Sequence, residues 1–217
     1  MNDKEVIEKT KKFIKEKFEK EGTGHDWWHI YRVWRNAISI GTKEKADPYI
    51  VQLGALLHDI ADFKFNNGDL SVGKRAAREY LNNLGVKKNI VSEVCDIVEN
   101  VSFKGARFEK EMRTIEGKVI RDADRLDAIG AIGIARCFAY GGHKGRLLYN
   151  PEGDIKDHKT VTQYLQGASS SVHHFYEKLL LLKDLMLTNT GRKMAEERHA
   201  FMERYLKRFF KEWEGNE

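Results

Sequence analysis

The chain has 217 residues, 41% hydrophobic and 33% charged, a composition that suits one globular domain able to bury a core without staples. Its 38 Lys and Arg against 33 Asp and Glu leave a formal charge of +5. That excess suits a small anionic ligand and is too scattered to mark a nucleic-acid-binding surface. Cys95 and Cys137 fall in apolar helical patterns and read as core thiols in a reduced compartment, not a disulfide. The amphipathic start has no apolar h-region, and the run from Leu179 to Leu187 is broken by Lys183 and Asp184. Neither a secretory leader nor a membrane span is predicted, and the chain is expected in the cytoplasm.

Only two prolines occur, β-branched alternation is scarce, and the helical period dominates, so the fold is expected to be all-α. Val6, Ile7, Ile14 and Phe18 mark a first amphipathic helix, and a second is expected over 26–40. Asp47-Pro48 reads as an N-cap followed by proline at the first helical position, opening a helix that runs through Leu56-Leu57 to His58-Asp59. Further helices are expected over 73–84, 88–101 and 116–138, the last broken near Gly130 or Gly133. Residues 140–154 are glycine-rich, basic and aromatic, which suits a binding loop or a connector. Two long helices, 160–187 and 190–213, complete the chain, the second a solvated face where Arg198, Arg204 and Arg208 alternate with Glu196, Glu197 and Glu203. The predicted organisation is a single domain over 1–217, with a core over about 20–140, a loop over 140–158 and C-terminal helices over 159–215.

The chemistry concentrates in four positions. His58-Asp59 closes an apolar run, and polar side chains placed behind such a run need partners. His29 lies upstream, with Asp26 three residues before it as a candidate to fix its tautomer. Downstream, Asp124 and Asp127 share one face of a helix too apolar to be a solvated stripe. Two imidazoles and two carboxylates hold a divalent cation and leave positions open for water and a phosphate oxygen. The mixed nitrogen and oxygen set suits six-coordinate Mn²⁺ or Mg²⁺, with Co²⁺ and Ni²⁺ as alternatives. No HExxH motif is present, which argues against a zinc peptidase.

The segments GHDWWHIYRV at 24–33, LLHDIADFKF at 56–65 and DADRLDAIGAIGIAR at 122–136 together resemble the HD-domain metal-dependent phosphohydrolase superfamily. Within it they are similar to a bacterial subgroup whose tail also resembles HHFYEKLLLLKDLM at 173–186, so the likeness covers about residues 20–213. It implies an all-α HD-domain helical bundle extended by C-terminal helices. It places metal ligands at His29, His58, Asp59 and Asp124, with Asp127 competing for the last. No histidine lies between Asp59 and Asp124, so a single cation is expected, not the pair that some HD families hold. The resemblance also implies that Asp62, three residues after Asp59, orients water or protonates the leaving oxygen, a role Asp127 could share. Subgroup relatives cleave nucleoside triphosphates between the α and β phosphates, releasing monophosphate and pyrophosphate. A 5′-nucleotidase or phosphodiesterase would use the same site, and a degenerate module would bind nucleotide without turnover.

A polyphosphate needs cations beyond the metal, and the candidates are Arg32, Lys64, Lys104, Arg125, Lys144 and Arg146. Phe65, Phe103, Tyr140 and Tyr149 are candidates to stack on a base. Core packing is the expected role of Trp27 and Trp28, and His143 and His158 are weaker candidates as proton donors. A small phosphorylated partner, most simply a nucleotide, is expected; no membrane or nucleic acid is, and a homodimer is left open.

Overall fold

A computed structural model describes residues 1–19, 26–61, 71–101, 111–155 and 170–216. These residues form nine α-helices and one 3₁₀ helix; among them no β-strand forms, and one isolated parallel bridge joins Leu147 to Ser170. No described helix is long and apolar enough to cross a membrane. The contacts divide the described chain into two compact units, residues 1–101 with 111–124, and residues 125–216.

In the first unit, α1 (Asp3–Phe18) opens on a capping box in which Asn2 and Glu5 exchange side-chain to backbone hydrogen bonds of 2.9 and 3.1 Å. Helix α2 (Trp27–Glu44) outruns the expected 26–40 and stops where Lys45 turns left-handed at φ 58°. Asp47 caps α3 (Pro48–Leu57), accepting from the amides of Tyr49 and Ile50. Helix α3 is largely apolar; its first turn and Gln52 reach the surface, and Val51, Leu53, Ala55, Leu56 and Leu57 lie in the core. Helices α1, α2 and α5 (Lys88–Asn100) pack on it, and α4 (Val72–Asn83) packs on α5.

Helix α6 (Ile115–Asp127) runs beside α3 in the same direction. At their starts the Asp47 amide donates to Glu116 Oε1 at 2.8 Å. Midway, a Cβ on Gly54 would lie 2.4 Å from Ile120 Cδ1, so a side chain there would force Ile120 to shift. At the far end His58 meets Asp124. This parallel pairing delivers both ends to one place. The third helix stops two residues earlier than expected: His58 is the C-cap of α3, and His58 and Asp59 occupy the turn that follows.

The second unit begins on the last turn of α6. The break expected near Gly130 falls at Ala128–Ile129, and Gly130 starts α7 (Gly130–His143) at φ +75°, a conformation that glycine adopts without strain. A Cβ there would also lie 3.0 Å from Arg198. Helix α7 absorbs residues 140–143 of the expected loop and ends in a left-handed turn at Gly145. The long helix expected over 160–187 is not continuous within its described part. Ser170 caps a short α8 (Ser171–Glu177), the backbone breaks at Lys178, and Leu179–Leu185 continues as a 3₁₀ helix. Unbroken helical periodicity is a necessary sign of a helix, and it cannot register a cap that competes locally for the backbone. Helix α9 (Asn189–Trp213), capped by Thr188, packs on α7 and on the 3₁₀ helix. An aromatic cluster of Phe138, Phe175, Tyr205, Phe209 and Tyr149 fills this unit.

Candidate metal centre

His29 sits in the first turn of α2, where Asp26 accepts its backbone amide at 2.7 Å. Asp26 therefore holds the helix start that presents His29, a capping role, where the sequence offered it as a partner for the imidazole. His58 is buried, and its Nδ1 lies 2.8 Å from the Ala55 carbonyl. A carbonyl only accepts, so Nδ1 carries the proton and Nε2 of the neutral ring keeps its lone pair. That Nε2 faces His29 Nε2 at 3.3 Å. Asp59 Oδ2 lies 3.4 Å from both ring nitrogens, and Asp124 Oδ1 lies 3.5 Å from His29 and 3.9 Å from His58.

The two ring nitrogens stand 3.3 Å apart with a carboxylate oxygen of Asp59 and one of Asp124 each 3.4–3.9 Å from both, a convergence that calls for a positive charge among them. Ligands about 2.1 Å from one octahedral ion stand about 3.0 Å from their neighbours, so a small inward adjustment fits this set to a single cation. His29, His58 and Asp59 are the residues whose ligand atoms cluster tightly enough to hold one. The side chains of His29 and His58 are 3% and 1% exposed, those of Asp59 and Asp124 12% and 24%. The imidazoles are the closed side of the centre, and the carboxylates are its partly exposed side.

Without a cation, a proton takes its place. Burial works against charging His58, but Asp59, Asp124 and the Ala55 carbonyl outweigh it and push the imidazole up to about 9 from 6.5. The resulting stabilisation is fully present below 6.5 and is lost as pH rises through about 9. A cation displaces that proton, so its own binding strengthens over the same window. The rise in melting temperature on adding Mn²⁺ to chelator-treated protein is therefore expected to grow from pH 6.5 to 9; a constant or shrinking increment by calorimetry would refute the linkage.

Other expected site residues are distributed differently. Asp62, Lys64, Lys104, Phe65, Phe103 and His158 lie outside the described residues. Arg32 is half-buried on α2, one turn beyond His29. Lys144 and Arg146 belong to the second unit, with Nζ and Cζ 5.6 and 5.4 Å from the Tyr140 ring. Tyr149 is packed among His173, Phe210 and Trp213. Asp127 is buried, and its carboxylate receives Nη1 of Arg136. Around it, Arg198 donates to the Leu126 carbonyl and Arg125 to that of Leu185, so cations collect at the C-terminal end of α6. The Ala55 carbonyl and Arg136 are the two contributors that sequence reasoning missed. The first is a backbone atom with no sequence signal; the second becomes a partner only when α7 turns back at Gly130.

The HD domain family matches residues 27–129 of the chain, a span that holds His29, His58, Asp59 and Asp124. Protein YpgQ of Bacillus subtilis (strain 168) is 43% identical over 197 residues, covering 90% of this chain and 87% of its own length. The crystal structure of an HD-superfamily hydrolase from Bacillus thuringiensis superposes with a TM-score of 0.77 at 43% identity, over 98% of this chain and 99% of that one. That of YpgQ in complex with ADP gives 0.74 at 38% identity, over 95% and 97%. The chain belongs to the HD-domain family and is a metal-dependent phosphohydrolase.

Proposed function

We propose that the substrate is a nucleoside triphosphate, cleaved between the α and β phosphates to give monophosphate and pyrophosphate. The observation that carries this reading is the His29, His58, Asp59 and Asp124 cluster, partly exposed on its carboxylate side, in a chain similar to a protein crystallised with ADP. One divalent cation, Mn²⁺ or Mg²⁺, fits the donor set; when bound it polarises a phosphoryl oxygen and acidifies water. His58 is oriented for it by Ala55, and His29 by the capped start of α2. Asp62 is assigned the proton-handling role, three residues beyond Asp59. Arg32, Lys64, Lys104, Lys144 and Arg146 are assigned to the phosphates. Asp127, engaged by Arg136, is assigned a supporting part in this chemistry, holding the end of the helix that carries Asp124. The cytoplasm is the proposed compartment.

Phosphorus NMR on a mixed pool of ribo- and deoxyribonucleoside triphosphates, with Mn²⁺ and with chelator, tests the reading. Pyrophosphate and monophosphate are expected, only with metal. Release of orthophosphate alone would replace it with a phosphatase or nucleotidase activity. No turnover of triphosphates, monophosphates or cyclic diesters would leave a binding module.

A further inference from the structure

Core packing accounts for Trp27, which is buried, and not for Trp28, which is 61% exposed on the residue next to His29. Trp28 is not a loose side chain. It meets the Tyr31 ring at 81° with centroids 5.9 Å apart, and Tyr31 is itself flanked by Trp27 and Trp34 at 6.0 Å each. The indole is thus held by a row anchored in the core while much of its surface remains open to solvent.

Helix geometry orders what surrounds it. At about 100° per residue, Arg32 lies about 60° from His29 around the α2 axis, and Trp28 lies about 40° beyond Arg32. At side-chain radius, the 100° between His29 and Trp28 corresponds to roughly 8 Å. One edge of α2 therefore runs from His29 through the Arg32 guanidinium to the Trp28 indole within roughly 8 Å, a span within reach of one nucleotide. Resting on the proposed nucleotide chemistry, we propose that Trp28 is the platform on which the base of a metal-held nucleotide stacks, and that it sets the preference for nucleotides over base-free polyphosphates. Stacking is sequence-tolerant because every base has a π-face, so Trp28 recognises that a base is present and not which base it is.

The test is calorimetric titration of ADP and of inorganic pyrophosphate into Mn²⁺-loaded wild type, Trp28→Ala and Trp28→Phe. Wild type is expected to bind ADP more tightly than pyrophosphate. Trp28→Ala is expected to weaken ADP about 10-fold and leave pyrophosphate within about 2-fold, and Trp28→Phe to recover most of the loss. The exposure of Trp28 makes both variants expected to fold, which circular dichroism checks. Unchanged ADP affinity in Trp28→Ala, or equal weakening of ADP and pyrophosphate, would overturn the proposal while leaving the nucleotide reading in place. Failure of wild type to bind ADP or any nucleoside triphosphate would remove the nucleotide reading, and this proposal with it.

Discussion

Replacing His58 with alanine is expected to weaken Mn²⁺ binding by at least about 100-fold and to abolish phosphohydrolase activity, while the helical circular dichroism signal persists. Losing a partner that only orients a ligand already costs about 10- to 100-fold in metal affinity, and His58 contributes the ligand atom itself. Its imidazole is nearly inaccessible, and its Nε2 lies within 3.3–3.9 Å of the three other donors, so no neighbouring group replaces it. The fold survives because His58 terminates α3 and does not fill its core; Leu53, Leu56 and Leu57 do that. Asp59→Ala is expected to behave the same way. Calorimetric titration with Mn²⁺ reads the affinity directly, and wild-type affinity in either variant would remove that residue from the ligand set.

Asp127→Ala is expected to destabilise the protein by about 3 kcal/mol, because it leaves the Arg136 guanidinium without the carboxylate it donates to. Arg136 is 29% exposed, which keeps the cost at the low end for a broken buried pair. Arg198 adds to it: burial pulls its guanidinium down, and Asp127 is the charge that holds it up. For a chain of this length the loss corresponds to a fall of about 6–12 °C in melting temperature. Asp127→Asn keeps an acceptor and is expected to recover part of this. The pair of variants also separates the two roles open to Asp127. Normal stability and metal affinity with lost turnover in Asp127→Asn would make it a catalytic acid; parallel loss of stability and turnover would make it a positioning residue.

Much of the first unit could be read locally. Asp47-Pro48 is a start signal whose physics is complete within four residues: a side-chain acceptor and a residue with no amide to satisfy. The apolar run from Leu53 to Leu57 in α3 announces burial for the same reason, since no face of it favours water. His58-Asp59 behind that run demanded partners, and the structure gathers His29 and Asp124 around them. Trp28 shows the opposite case. It follows a buried tryptophan in sequence, and its exposure is decided by the phase of α2, in which residues 27, 30, 33, 34 and 37 turn inward and 28 turns out. The expected helix over 160–187 fails at Lys178 for a related reason: apolar spacing persists through Leu179–Leu185, but a tighter 3₁₀ winding satisfies it as well.

Composition, periodicity and capping chemistry thus determined the helical class, the starts of the helices in the first unit and the residue types available for a cation, because those preferences act over a few residues and a few kcal/mol at most. The tertiary structure alone decided that α3 and α6 run in parallel from Asp47 and Glu116 to His58 and Asp124, that the Ala55 carbonyl sets the tautomer of His58, and that Asp127 answers to Arg136. Each of those outcomes depends on groups that come together only when apolar faces are buried against one another. That burial is collective and non-directional, and it carries no mark at any single position in the chain.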